Sequence, residues 1–144
     1  MNDSQKITLL KSSLSLKIIE CPITSREKKG TIRELLKFAS EAKQLDSSQI
    51  KAVAQNLARM EEEYWKPTSL LTGFAFHRSR FDIQQPFAIL GYSPSGVKYD
   101  DTQVKIVLLL LCPMQQAKEY LDFFVEIDKF IKNVKTAEMP LPTG

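Results

Sequence analysis

The sequence predicts an α/β fold, a three-layer α-β-α sandwich with helices on both faces of a central sheet. Apolar strand-like runs occupy the second half of the chain, and helical patterns precede and follow them. The run 104–112 is apolar almost throughout, which predicts a strand covered on both of its faces. The helices on either side would supply that cover, although periodicity alone does not fix the order of the strands.

The chain has the size and composition of one globular domain. Its 144 residues are 43% hydrophobic and 26% charged, and the net charge is only +3. The densest basic cluster, within 26–37, is interleaved with Glu27 and Glu34, as in a solvated helix face. We therefore expect a domain over 1–134, a loose tail over 135–144 and no nucleic-acid partner.

Cysteine usage and hydropathy exclude several classes of protein. Cys21 and Cys112 have no metal-ligand spacing, and a single histidine rules out a multi-histidine metal site. No dinucleotide fingerprint or Walker loop is present. The N-terminus lacks secretory character, and the longest apolar run, Ile106 to Cys112, is too short for a bilayer span. We expect a cytoplasmic protein with no metal, no cofactor and no direct membrane insertion.

The first half of the chain predicts one strand and two helices. Residues 9–16 are an ambiguous lead-in to a strand around 16–19, before Pro22. A Thr24-x-x-Glu27 capping box predicts the start of the first helix. Its apolar stripe comprises Ile32, Leu35, Leu36, Ala39 and Ala42.

The second helix is predicted to begin at 46–48 and to end before Pro67, which cannot continue a helix. Its apolar side comprises Ile50, Val53, Ala54, Leu57 and Tyr64. Residues 68–73 then form an irregular turn.

Three further strands are predicted around 74–79, 87–92 and 104–112. The segment 93–96, Ser-Pro-Ser-Gly, is a turn by composition. After Pro113, a last helix is expected from about 115 to 134.

His77, the only histidine, is the leading candidate for chemistry. An imidazole is neutral and nucleophilic near pH 7, and here it follows a short apolar run that opens at Gly73. Hydroxyl and guanidinium groups nearby offer donors to a phosphate. The candidate phosphate-binding residues are Thr68, Ser69, Thr72, Ser79 and Arg80. Strand alternation places Ser79 on the face of His77 and Arg78 on the opposite face; Arg80 reaches His77 only if the strand ends there. The alternative for His77 is a structural role.

Several segments resemble a known family in order and spacing. They are Gly73-Phe-Ala-Phe-His77, Pro86-Phe-Ala-Ile-Leu-Gly91, the Asp-containing loop Val97-Lys-Tyr-Asp-Asp101, the strand 104–111 and the Cys112-Pro113 pair. Together, over roughly residues 8–131, they resemble the enzyme IIA domains of the bacterial phosphotransferase system, in the mannitol/fructose and nitrogen-regulatory branch.

The resemblance implies the same three-layer architecture, with a mixed sheet. It further implies that His77 accepts a phosphoryl group from a phosphocarrier protein and passes it on, or uses it as a regulatory signal. The implied partners are that phosphocarrier and a sugar permease IIB domain or a regulatory target. His77 would then lie in a partly exposed depression, near the 68–73 turn and the start of the last helix.

The chain also departs from the family pattern. The family's proline before the histidine is absent, and Tyr120 stands where a second histidine is common. Where the family carries an Arg-Glu pair, this chain has Glu61-Glu62-Glu63, and Arg59 lies about a turn too early. Three carboxylates would repel a phosphate. The alternative function is therefore a degenerate enzyme IIA-like module that regulates or binds without phosphotransfer.

Overall fold

The computed structural model describes residues 1–64, 73–99 and 102–138, with the side chains of 60–64 excepted. The elements are α1 (Asp3–Ser13), β1 (Lys17–Pro22), α2 (Lys28–Glu41), a 3₁₀ turn (Ser47–Gln49), α3 (Ile50–Tyr64), β2 (Phe74–Phe81), β3 (Phe87–Tyr99), β4 (Thr102–Pro113) and α4 (Ala117–Glu138).

The four strands form one mixed sheet in the order β1-β3-β4-β2. The strands β1 and β3 are parallel, as are β2 and β4, whereas β3 and β4 are antiparallel. This places β4 in the interior of the sheet, as its apolar run predicts.

Strand alternation divides the core into two layers around β4. Val107, Leu109 and Leu111 pack with residues of α2 and α3. Leu108 and Leu110 point to the other face and pack with residues of α1 and α4. All of these side chains are buried, so helices cover both faces of the sheet. The predicted α-β-α sandwich with a mixed sheet is confirmed.

The N-terminal segment is a helix, α1, rather than an ambiguous lead-in. Asn2 caps it, with reciprocal hydrogen bonds between Asn2 and Gln5 at 2.8 and 2.9 Å. Leu10 is its one fully buried side chain. The sequence did not reveal the helix because its apolar residues do not form a regular stripe.

The predicted capping box at Thr24 is wrong, since α2 begins at Lys28 and Glu27 caps no amide with its side chain. Glu27 is extended because it pairs with Lys98 of β3, and the backbone amide of Lys98 also donates to the carbonyl of Arg26. The hydroxyl and amide of Thr24 instead donate to the carboxylate of Glu34. The second helix does begin as predicted, at a 3₁₀ turn capped by Asp46.

The predicted turn at 93–96 is also wrong, because β3 continues through it. The pairing of β3 with β4 shifts register between Tyr92 and Val97, which marks a bulge-like irregularity. Gly96 adopts a φ of +91°, and its amide donates to the hydroxyl of Ser93 at 3.1 Å. Turn-forming residues here bend a strand instead of ending it.

The last helix is longer than predicted. It runs to Glu138, so residues 135–138 are helical rather than loose, and 139–144 lie outside the described residues. A salt bridge of 3.0 Å joins Glu138 to Lys6 of α1. Within 1–64, 73–99 and 102–138, no helix combines the length and apolarity needed to cross a membrane.

Candidate functional site

His77 lies in the middle of β2, on the face of the sheet that α2 and α3 cover. Its neighbour at i−2, Ala75, belongs to the α2/α3 core, whereas Phe76 belongs to the α1/α4 core. His77 is only 1% exposed. The predicted partly exposed depression is therefore wrong. The physical reason is that α3 packs over this face of β2 and covers the histidine.

Tyr99, the last residue of β3, is the hydrogen-bond partner of His77. The distance between Nε2 of His77 and the hydroxyl oxygen of Tyr99 is 2.6 Å. The ring centroids are 5.7 Å apart, and Tyr99 is also buried. Nζ of Lys28 lies 5.6 Å from the centroid of the same Tyr99 ring. The imidazole is thus held in a buried polar contact next to a cation–π pair.

Ser79 shares the face of His77, as strand alternation predicts. It is fully buried, and its hydroxyl donates to Oδ1 of Asn56 in α3 at 2.9 Å. Of the remaining predicted phosphate-binding residues, Thr68, Ser69 and Thr72 lie outside the described residues, and the same holds for the side chains of 61–63.

Arg80 is not brought to the face of His77. Because β2 continues past it, alternation turns Arg80 toward α4, where its guanidinium lies 5.5 Å from the centroid of the Tyr120 ring. Arg78 points the same way and lies 4.4 Å from the centroid of Phe124. The prediction that His77 lies near the start of the last helix is also wrong, because α4 packs on the face of the sheet opposite to His77.

Two buried groups beside these arginines have shifted acidities. Burial raises the pKa of the Tyr120 hydroxyl, and the positive charges of Arg78 and Arg80 partly oppose that rise. Burial also raises the pKa of the Cys112 thiol, with a further rise from Glu119 and an opposing effect of Arg80. Cys112 is a buried apolar residue, as its position at the end of the leucine run predicts.

Tyr99 is the site residue that the sequence did not reveal. Its one signal was the alternation of Val97 and Tyr99, which continues the period of β3 past the apparent turn. Within the part of the chain that the structure describes, no three His, Cys, Asp or Glu side chains form a group able to hold a metal ion.

Comparisons with known proteins identify the fold. No model of a known protein family matches the chain, and neither does any curated protein sequence. Solved structures do match. The nitrogen regulatory protein IIA-Ntr from Neisseria meningitidis has a TM-score of 0.61 at 18% identity, covering 90% of this chain and 88% of that one.

Two mannitol proteins from Escherichia coli have the same fold. The mannitol-specific cryptic phosphotransferase enzyme IIA CmtB matches with a TM-score of 0.58 at 14% identity, covering 90% and 86% of the two chains. The enzyme IIA of mannitol, solved in complex with phosphorylated enzyme IIB, matches with a TM-score of 0.54 at 11% identity, covering 90% of each chain. This chain therefore has the fold of the phosphotransferase system enzyme IIA domains, as represented in the nitrogen-regulatory and mannitol branches.

Proposed function

We propose that this chain is a regulatory or binding module built on the enzyme IIA fold, in which His77 is a core residue rather than a phosphoryl acceptor. The observation that carries the proposal is the burial of His77, 1% exposed with Nε2 at 2.6 Å from the Tyr99 hydroxyl. Phosphoryl transfer requires the acceptor nitrogen to approach a partner's phosphorus to about 3–3.5 Å. A partner protein cannot make that approach without displacing β2 or the elements that cover it.

The charges around His77 support the same conclusion. A transferred phosphoryl group carries close to two negative charges and needs donors aimed at its oxygens. Arg78 and Arg80 point to the other face of the sheet. The hydroxyl of Ser79, which does share the face, already donates to Asn56. The described residues thus offer His77 no guanidinium for a phosphate.

The second candidate function is that of a phosphocarrier. Two observations favour it: the likeness in fold to enzyme IIA domains, and the match of Gly73 to His77 with the family's phosphoacceptor motif. In this function His77 would accept the phosphoryl group from a phosphocarrier protein. The complex of the mannitol enzyme IIA with phosphorylated enzyme IIB makes a IIB-type domain a reasonable partner to test. Partners of this kind would place the chain in the cytoplasm.

Intact mass spectrometry separates the two functions. The protein is incubated with phosphoenolpyruvate, the general phosphotransferase enzyme and the phosphocarrier from its own organism, with a known enzyme IIA as positive control. We expect no mass gain under conditions that phosphorylate the control. A gain of one phosphate that is absent in His77→Gln, with the variant's fold verified by circular dichroism, would overturn the proposal in favour of the phosphocarrier.

Binding without transfer is the positive test of the module. We expect that adding the unphosphorylated phosphocarrier or a IIB domain to the ¹⁵N-labelled chain shifts a contiguous set of amide resonances. The same set should shift in His77→Gln, because the proposed module does not need the imidazole for binding. Complete loss of those shifts in a folded His77→Gln variant would contradict a purely structural histidine.

A further inference from the structure

We propose that the C-terminal half of β2 is a docking edge for an extended acidic segment of a partner protein, which would join the sheet as a strand beside Arg78 and Arg80. This edge would be the partner surface of the binding module proposed above, and it rests on that function.

The position of β2 in the sheet provides the backbone groups. Within the part of the chain that the structure describes, β2 is an outer strand and pairs with β4 alone. The carbonyl groups of Gly73 and Phe81 accept hydrogen bonds from β4 and from the residue that follows it. Alternation along the strand then turns the amide and carbonyl groups of Arg78 and Arg80 away from β4. These groups are available to a further strand.

The side chains of the same two residues provide the charge. Both guanidinium groups point to the α4 face, where the rings of Phe124 and Tyr120 hold them. Arg80 is exposed and Arg78 is partly exposed. Neither takes part in a salt bridge with any carboxylate of the described residues. The edge thus presents two cations at i and i+2, and neither forms an ion pair with a carboxylate of the described residues.

The open backbone groups and the two arginines together favour one kind of binding partner over others. Alternate side chains of an added strand point to one face about 7 Å apart, so two carboxylates at i and i+2 would meet the two guanidinium groups. A second copy of this chain is disfavoured, because pairing two β2 edges would bring arginines against arginines. A nucleic acid would match the charges but has no peptide groups to pair with the edge. An acidic extended peptide satisfies both features.

The test uses the full chain and a blocked peptide, Thr-Val-Glu-Val-Glu-Thr, with Thr-Val-Gln-Val-Gln-Thr as its neutral control. In ¹⁵N NMR titrations at low ionic strength, we expect the amide resonances of Arg78 and Arg80 to shift most. Binding should weaken about two- to fivefold in Arg78→Gln and in Arg80→Gln, the range expected for an exposed ion pair. The matched control Lys129→Gln, an exposed cation on α4, should leave the affinity unchanged.

Several outcomes would overturn the docking edge. They are equal binding of the neutral peptide, shifts that map away from β2, and absence of binding. If no peptide binds and Arg80→Gln self-associates in sedimentation experiments, the arginines only protect the edge from strand pairing. Failure of the docking edge is distinguishable from failure of the proposed function, because the two are measured separately. A phosphate on His77 would refute the phosphate-free module but would leave the peptide titration unchanged. Absence of peptide binding would refute the docking edge but would leave the intact-mass result unchanged.

Discussion

The hydrogen bond between His77 and Tyr99 joins two points that the sheet register separates widely. His77 is paired with Leu109 of β4, whereas Tyr99 is paired with Thr102. These two positions on β4 are seven residues apart, which is about 23 Å along a straight strand. Yet Nε2 of His77 and the Tyr99 hydroxyl are 2.6 Å apart. The end of β3 therefore curls over the α2/α3 face toward His77.

The irregularity in β3 accounts for this curl. The register shift between Tyr92 and Val97 bends the strand. Pairing of Glu27 with Lys98 then fixes the bent end beside the start of α2. The same bend brings the Tyr99 ring against His77, and both side chains are buried.

Removing the Tyr99 hydroxyl should destabilise the protein. We expect Tyr99→Phe to lower the free energy of unfolding by about 1–3 kcal/mol, because a buried imidazole nitrogen loses a hydrogen-bond partner. The matched control is Tyr92→Phe, whose hydroxyl donates to the Asp3 carboxylate at 3.0 Å in a partly exposed site, where water can replace the lost hydroxyl; its cost should be smaller than that of Tyr99→Phe. Urea unfolding measures both, and equal costs would contradict the importance of the buried contact.

Glu34 should be more important than its sequence context indicates. Its carboxylate accepts from the amide and hydroxyl of Thr24, at 2.6 and 3.0 Å, and from the amide of Ser25 at 3.0 Å. We expect Glu34→Gln to cost about 1–2 kcal/mol, since hydrogen bonds to a charged acceptor are lost or weakened. Exposed Glu41→Gln on the same helix should stay within about 0.5 kcal/mol. Thermal or urea unfolding of the two variants tests this, and indistinguishable midpoints would show that Glu34 is dispensable.

Gly91 should resist even the smallest side chain. A Cβ atom there would lie 2.7 Å from Cδ1 of Ile23 and 2.8 Å from Cδ2 of Leu35. We expect Gly91→Ala to cost about 1–3 kcal/mol through overpacking. Gly73→Ala is the comparison: its φ is +76° but no atom of the described residues lies within 4 Å of the added Cβ, so we expect a cost of about 1–2 kcal/mol from backbone strain.

A second substitution separates overpacking from backbone strain at these glycines. Ile23→Ala removes both Cδ1 and Cγ1, which lie 2.7 and 2.8 Å from the added Cβ, and should recover part of the loss in Gly91→Ala, but none of the loss in Gly73→Ala. Strictly additive effects at Gly91 would refute the steric explanation.

The elements whose positions depend on apolar periodicity were predicted correctly from the sequence. The run at 104–111 predicted the interior strand, and the stripes of α2 and α3 predicted the helices that cover one face. Prediction failed where a local signal was overridden by tertiary pairing. Thr24 has the composition of a helix cap but bonds to Glu34, and residues 93–96 have the composition of a turn but continue β3.

The candidate site was predictable only in part. Alternation correctly placed Ser79 with His77 and Arg78 opposite. The burial of His77 was not predictable, because it depends on the packing of α3 over β2 and on the curl that brings Tyr99 from a position distant in the sequence. No local pattern encodes a contact of that kind.

The stability of the protein should fall in alkaline solution, and Cys21 should contribute to the fall. Burial, with smaller contributions from the charges of Glu34 and Glu41, raises the pKa of the Cys21 thiol from 9.0 to about 11. The folded state therefore retains this proton over a pH range in which the unfolded chain has lost it. The contribution is fully present below pH 9 and is lost as the pH rises through the window from 9 to about 11.

The measurement is the free energy of unfolding of the wild type and of Cys21→Ala, followed from pH 8 to 11 in urea. Tyr92 and Tyr120 also have raised pKa values, but their effects are common to both proteins and cancel in the difference. We expect the wild type to lose more stability than Cys21→Ala across the window, because only the wild type must hold a buried thiol protonated. Parallel curves would mean that the thiol ionises equally easily in the folded and unfolded chains, and would contradict the raised pKa.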